Sequence, residues 1–283
     1  MYEAVFIAAT GLRHQQMRMD TIANNIANVN SAAYKSARLD FKDALYTAEF
    51  NPSYPRTPEP EGNQQKGHGV MIAGITKDFR TGSIQHTGRD LDIAIEGEGF
   101  FELEDPNGNI VYSRNGSFEI GVGENGLFLV NGDGWYIHDA GGNRIQIPDE
   151  TETIVITEHA IIKFKLPPAV IEEDEDTAAA EAAAEEAQEP EEEWVEVELG
   201  LFTFRNITGL LSVGSGNYGE SEASGEKFKA TNAKLWQGNL EMGNVDLAEE
   251  MTRIIRTQRV FQLASRALST ADEMEGIANN MRR

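Results

Sequence analysis

The sequence predicts an α+β chain: paired N- and C-terminal heptad helices of coiled-coil type, with a central antiparallel β-rich, partly barrel-like domain between them. Three observations predict it. Apolar residues near both ends recur at heptad spacing. The middle, from about 67 to about 240, breaks into short β-rich runs separated by turn signals. Most of the charge is gathered in one acidic, alanine-rich tract with no apolar face to bury.

At the N-terminal end the apolar residues fall at Val5, Ala8, Leu12, Met19, Ile22, Ile26 and Val29. Every step fits an a/d seam, with one polar interruption at Gln15. At the C-terminal end Leu247, Ile254, Phe261 and Leu268 repeat every seven residues, and Ala264, Ala271 and Ala278 supply the alternate position. Val260, Ala267, Met274 and Met281 widen this stripe on one side. Asp246 followed by Glu249 resembles a capping box and predicts a helix from about 246 to about 280; Asn244 is a competing cap. A heptad helix of about 25 residues cannot bury its seam alone, so the two ends predict each other as partners. The pairing is either complete within the monomer or also packs on neighbouring subunits. The wide C-terminal stripe favours neighbours, because a two-helix pair needs only a narrow seam.

The chain is expected to divide into four segments. Residues 1–35 form the N-terminal helical segment and 241–283 the C-terminal one. Residues 36–70 hold an extended loop, including the Pro- and Gly-rich stretch Asn51–Gly69. Residues 71–240 form the β domain, with the acidic insertion at about 167–195. Its predicted strands are Leu91–Ile95, Phe100–Glu104, Ile110–Ser113, Leu127–Val130, Trp135–His138, Glu152–Ile156, Ile161–Leu166, Glu193–Leu199 and Leu201–Phe204. Turn signals at Asp105-Pro106-Asn107-Gly108, Asn115-Gly116, Asn131-Gly132 and Gly141-Gly142 separate them.

Composition excludes several functions. The net charge is −23, of which −16 falls within residues 149–199, leaving an ordinary −7 for the rest. An acidic chain repels a polyanion, so nucleic acid is excluded as a partner. The absence of cysteine removes disulfides, thiolate metal sites and cysteine nucleophiles. No apolar run approaches the roughly 18 residues of a membrane span, so membrane insertion is not expected. Met1–Asp20 carries Glu3, Arg13, His14 and Arg18 where a secretory signal would be apolar.

Candidate chemistry is thin. Gly121-Val122-Gly123-Glu124-Asn125-Gly126 fits a dinucleotide-binding glycine pattern, but strand-like Leu127–Val130 follows where a helix is needed, and Glu124 would face the phosphates. We read it as a turn. His14, His68, His86, His138 and His159 form no metal-ligand spacing. The acidic tract lacks the spacing and turn glycine of a calcium loop. No carboxylate pair is singled out for acid–base work. We therefore expect no enzyme, no catalytic residue, no cofactor and no metal.

Specific residues carry a family resemblance. Thr21-Ile22-Ala23-Asn24-Asn25-Ile26-Ala27-Asn28-Val29-Asn30, with Tyr34-Lys35, resembles the N-terminal signature of flagellar rod and hook proteins. Asn244-Val245-Asp246-Leu247-Ala248-Glu249-Glu250-Met251, with Gln258-Arg259 and Ser269-Thr270-Ala271-Asp272-Glu273-Met274, resembles their C-terminal signature. Leu91–Phe101, Tyr112–Phe118, Thr208-Gly209-Leu210 and Ser224-Gly225 are similar to their β-domain signatures. The resemblance covers nearly the whole chain apart from the acidic insertion.

It implies a structural subunit of the flagellar basal-body rod that self-assembles through its terminal helices and transmits torque toward the hook. The helices would form an inner tube and the β domain an outer layer. The partners implied are further copies of itself in a homo-polymer, other flagellar axial proteins and the flagellar export apparatus, with export lacking a cleaved signal. Asn51–Gly69 sits where distal rod members carry an extra segment. Proximal rod and hook subunits of the same family are the alternatives, and a ligand-binding β module with a helical dimerisation stalk is the alternative from another class. The assembly residues implied are Leu12, Met19, Ile22, Asn24, Asn25, Ile26, Asn28, Leu247, Ile254, Phe261 and Leu268. The asparagines, with Asn279 and Asn280, read either as buried amides fixing register or as helix-end caps. One departure stands out: Ser31-Ala32-Ala33 places alanine where the family has a glycine, so a different chain exit is expected there.

Overall fold

The computed structural model describes residues 2–44, 46–49, 64–67, 69–123, 126–148, 151, 153–166 and 194–281. The chain divides into two compact units, which it enters and leaves several times. One comprises 1–30, 35–80 and 244–283; the other comprises 31–34 and 81–243.

The first unit is built on two helices. Helix α1 spans Tyr2–Ala27, and helix α2 spans Leu247–Met281. They pack against one another. At the start of α2, the Asp246 carboxylate accepts hydrogen bonds from the Ala248 and Glu249 backbone N–H groups, at 2.9 and 3.1 Å. Asp246 is therefore the cap, and Glu249 and Glu250 place negative charge where the helix dipole favours it. At the end of α1, Asn28 donates its backbone N–H to the carbonyls of Asn24 and Asn25, both at 3.2 Å.

A β-hairpin completes this unit. Ala37–Asp43 pairs antiparallel with Val70–Lys77, with an irregularity between Asp40 and Phe41, and Tyr46–Glu49 pairs with Gln64–Gly67. These strands occupy part of the 36–70 stretch expected as a loop; the remainder of Asn51–Gly69 at 51–63 lies outside the described residues. Because Val70–Lys77 pairs with Ala37–Asp43, the division between units falls after Arg80, beyond the expected residue 70.

The second unit is built of β-strands, with one short 3-10 turn at Ile207–Gly209. Its main sheet has ten strands, running from Gln146–Ile147 through Gly126–Asn131, Tyr136–Ile137, Phe100–Glu104, Ile110–Ser113 and Asn217–Gly219 to Leu211–Gly214. Leu201–Phe204, Lys227–Lys229 and Phe118–Gly123 attach beside this path. A separate sheet joins Thr153–Ile156, Ile161–Lys165 and Trp194–Glu198. Strand pairing among the described residues leaves free ends, so the sheet is open; the expected barrel-like closure is corrected by Leu211–Gly214, which pairs only with Asn217–Gly219. The acidic insertion joins two paired strands, since Lys165 lies opposite Trp194; residues 167–193 lie outside the described residues.

The core holds Ile93, Ile95, Phe101, Leu103, Phe118 and Ile137 among others. Phe101 and Phe118 meet edge to face at 5.0 Å, and Tyr112 meets Phe204 at 4.8 Å. One turn recurs four times, at 105–109, 131–135, 139–143 and 157–161. In each, the first residue exchanges backbone bonds with the fourth and fifth, and its side-chain oxygen accepts the N–H of the fifth. The fourth residue has positive φ: Gly108 at 83°, Gly134 at 79°, Gly142 at 83° and Ala160 at 63°. This is a type I turn with a left-handed bulge residue, the geometry that a hairpin loop of this length selects. Gly116 is required for a different reason: a Cβ there would lie 1.7 Å from the Ile93 carbonyl oxygen.

The glycine-rich pattern at 121–126 sits on a hairpin, with Gly123 opposite Gly126. It lacks the strand-to-helix setting that pyrophosphate binding needs. Ala33 takes φ +54°, the left-handed conformation that glycine would supply. Alanine adopts the turn itself, held by its N–H on the Glu241 carbonyl at 2.7 Å.

Candidate functional site

The helices carry the candidate assembly surface. On α1, Val5, Ala8, Leu12, Gln15, Met19 and Ile26 are half-buried and Ile22 is buried, one continuous a/d series. On α2 the series runs Glu250, Ile254, Thr257, Phe261, Ala264, Leu268 and Ala271. Ile254, Phe261, Leu268 and the two alanines are half-buried, whereas Glu250 and Thr257 are the most buried side chains of this helix. Sequence reading missed both, because a polar residue scores as a break in an apolar pattern. The signal was the spacing itself. Leu247 lies in the first turn and is exposed; the side chains of Ala278 and Asn279 lie outside the described residues, and Asn280 is exposed.

A second heptad series lies on α2 one residue behind the first, about 100° around the helix. It comprises Val260, Leu263, Ala267, Thr270, Met274, Ile277 and Met281, and all seven are exposed. The values are 46% for Val260, 64% for Leu263, 57% for Met274, 58% for Ile277 and 80% for Met281. Isolated surface apolar residues are unremarkable, but these form a contiguous stripe at the a/d spacing of a helix seam. The sequence singled out half of it as a widened flank; Leu263 and Ile277 complete it.

The asparagines divide between the two readings. Asn25 is buried, and its carboxamide accepts the Ala37 N–H and donates to the Ala37 carbonyl, both at 2.9 Å. It is a buried amide contact, made to a strand. Asn28 donates its side-chain amide to the Asn24 carbonyl and side-chain oxygen, at 2.9 and 2.8 Å, which is helix-end capping.

Beyond Asn25 lies a polar lock that sequence reading also missed. Lys35 is 1% exposed and donates its Nζ to the Arg80 carbonyl at 2.8 Å. Asn244, free of the capping role, accepts the Ser36 N–H at 2.8 Å and donates to the Asp78 carbonyl at 2.7 Å and the Arg80 carbonyl at 3.2 Å. The Arg80 guanidinium, bonded to Asp78, holds that carboxyl below the usual carboxylate range. Buried polar groups must be paired, and here Asn244 ties the segment before α2 to Ser36 after α1, while Lys35 and Asn244 both tie to the Asp78–Arg80 stretch.

The β unit has two buried charge clusters. Arg114 and Glu241 form an ion pair at 3.0 Å. Arg114 also donates to the Gly97 carbonyl at 2.6 Å, and Glu241 accepts the Gly82 N–H at 2.8 Å. His138 lies between two carboxylates, with Nδ1 3.2 Å from Glu102 and Nε2 3.1 Å from Glu104. Lys227 pairs with Glu102, and Arg144 grips Glu104 at 2.8 and 2.9 Å. Glu104 is held down at about 2, first by the Arg144 hydrogen bond and then, against a desolvation penalty, by His138. Burial, with help from Glu102, pushes the Tyr112 phenol up. Each of these charges is spent on a neighbouring charge, as in a structural network.

Three family models match the chain: Flagella basal body rod protein at residues 7–35, Flagellar hook protein FlgE/F/G D1 domain at 94–163, and Flagellar basal body rod FlgEFG protein C-terminal at 237–281. The chain is 34% identical over 296 aligned positions to the flagellar basal-body rod protein FlgG of Borreliella burgdorferi, covering 100% of both. It is 31% identical over 290 positions to FlgG of Bacillus subtilis, again covering 100% of both. It is 28% identical over 295 positions to the flagellar hook-basal body complex protein FlhP of Bacillus subtilis. The first and last of these family models fall on the two helices whose surfaces are described above, the second on the β unit, and the chain belongs to the flagellar basal-body rod protein family.

Proposed function

We propose that this chain, a structural subunit of the flagellar basal-body rod, polymerises through its terminal helices and occupies the distal part of the rod. The observation that carries the reading is the exposed stripe from Val260 to Met281, a second a/d seam on a helix whose first seam faces inward. A seam of this kind is satisfied by another helix. The occupant we assign is a terminal helix of a neighbouring subunit, giving a homo-polymer that continues onto other flagellar axial proteins and carries torque toward the hook. Leu12, Met19, Ile22, Ile26, Ile254, Phe261 and Leu268 would hold the helix pair together. Asn24 and Asn28 would end α1, and Asn25 would fix the adjoining strand. Leu247 would open the surface at the start of α2. The distal assignment is supported by full-length similarity to proteins named FlgG. Export without a cleaved signal is part of the same proposal.

The test is electron microscopy of the concentrated chain beside Leu263→Asp and Ile277→Asp. Tubes or filaments from the parent chain and none from the variants are expected. Equal polymerisation by a folded Leu263→Asp variant would overturn the reading. The stripe also predicts that α2 is incompletely ordered in a monodisperse monomer, because its outer face lacks cover. Full hydrogen-exchange protection of α2 in that monomer would contradict this.

A further inference from the structure

We propose that Met274 and Met281 are an oxidation site controlling polymerisation: as thioethers they complete the exposed stripe of α2, and as sulfoxides they block it. The proposal rests on the assembly role given to that stripe.

The chain has no cysteine, so methionine thioethers are its oxidisable sulfur. Met274 and Met281 are seven residues apart on one stripe and are its most C-terminal sulfur groups; 57% and 80% of their surfaces are exposed. Met19 and Met242 are half-buried, and the exposed Met17, Met71 and Met251 lie off the stripe. A hydroperoxide oxidant transfers one oxygen atom to Sδ. Its O–O bond breaks, the thioether loses two electrons, the peroxide gains them, and water leaves when the oxidant is hydrogen peroxide. A flexible apolar side chain becomes a polar one with a strong acceptor.

The stripe offers that acceptor nothing. Leu263 and Ile277 have no donor, and the Thr270 hydroxyl already donates to the Arg266 carbonyl at 3.0 Å. Burying an unpaired polar group weakens association by about tenfold or more per site. The site is open in the free subunit and covered once the stripe is occupied, so oxidation acts before assembly.

The experiment treats the unassembled full chain with dilute hydrogen peroxide, counts sulfoxides by peptide mass spectrometry and follows polymerisation by light scattering and electron microscopy. Met274→Leu/Met281→Leu and Leu263→Asp are run beside it. Oxidised parent chain should polymerise at least about tenfold more slowly, and methionine sulfoxide reductase should restore it. The peroxide-treated double leucine variant should polymerise like its untreated form, although its other methionines are oxidised. Unchanged polymerisation of parent chain carrying both sulfoxides overturns the proposal, as does equal peroxide inhibition of the double variant. A Leu263→Asp chain that polymerises normally overturns the assembly reading instead.

Discussion

The Asn25 carboxamide spans both backbone groups of Ala37, accepting its N–H and donating to its carbonyl, each at 2.9 Å. Ala37 opens its strand's ladder opposite Lys77, and without Asn25 these two groups would need water. Asn25→Ala leaves both without this partner, and an unmet buried group costs about 1–3 kcal/mol. The expected loss is about 2 kcal/mol, confined to the first unit. Both α-helices lie in that unit, and Trp135, Trp194 and Trp236 all lie in the other. Far-UV circular dichroism should therefore shift its urea midpoint while tryptophan fluorescence keeps its own. A shift in fluorescence alone would refute the assignment.

Ala160 occupies the left-handed position that Gly108, Gly134 and Gly142 occupy in the three sister turns. A Cβ in that conformation costs about 1–2 kcal/mol. Glycine relieves it but gives up a buried methyl and adds unfolded-state entropy, each worth up to about 1 kcal/mol. Ala160→Gly should therefore be neutral or stabilising, against the usual penalty for introducing glycine. Gly142→Ala, placed in open space but at φ 83°, should cost about 1 kcal/mol. Fluorescence-detected denaturation of both variants checks the pair; a clear loss for Ala160→Gly would remove the strain argument.

His138 stands between Glu102 and Glu104, and Glu102 is 1% exposed. His138→Leu leaves that carboxylate with Lys227 and Tyr112 alone. Depriving a buried group of one hydrogen-bond partner costs about 1–3 kcal/mol. The β unit should lose that amount by fluorescence-detected denaturation. His138→Leu with Glu102→Gln should recover part of it, because the under-bonded carboxylate is gone. Failure of the double variant to recover would mean the histidine acts by packing.

Arg144 is the main reason the Glu104 carboxyl is held at about 2, below its ordinary 4.5. A carboxylate whose folded pKa is depressed contributes stability above its unfolded pKa, and that contribution is lost as pH falls through the folded one. The window is therefore about 4.5 down to about 2. Arg144→Met should lower the stability of the β unit near neutrality, where the contribution is present, and flatten its decline between about 4.5 and about 2, so that variant and parent converge at lower pH. An unchanged decline across that window would show that His138 alone sustains the shift.

Much of this fold was legible, and the misses have physical causes. Asp246 gave the start of α2, and strands such as Phe100–Glu104 and Ile110–Ser113 stood out because apolar runs sit between turn signals. Ala37–Asp43 was missed although Ala37, Leu39 and Phe41 alternate with Arg38, Asp40 and Lys42, because the Pro- and Gly-rich stretch that follows drew the whole of 36–70 into a loop; the strand pairs with Val70–Lys77. Short strands such as Lys227–Lys229 exist only through their tertiary partner. In the candidate site, the apolar spacing pointed to both stripes of α2, but polar seam members and the Lys35–Asn244 lock carry no local pattern. Their meaning arises from neighbours distant in sequence.

Glu250 is the sharpest of these hidden positions. It occupies the inner seam of α2, its Oε1 receives Arg253 at 2.7 Å, and its buried Oε2 has no hydrogen-bond partner among the described residues. Glu250→Leu would continue the seam with an apolar side chain and remove the unmet oxygen, while Arg253 keeps Glu249 at 2.6 Å. Replacing a buried charge by a hydrophobe of similar size stabilises by about 1 kcal/mol or more where packing allows. The loss at the helix N-terminus is smaller, at about 0.3–1 kcal/mol. The helical unit should therefore melt higher by circular dichroism. A polar residue at a seam position also fixes register, so the same variant should give polymers of mixed diameter by electron microscopy. Higher stability with uniform polymers would assign Glu250 to no register role; lower stability would mean its second oxygen finds a partner that the helix pair cannot spare.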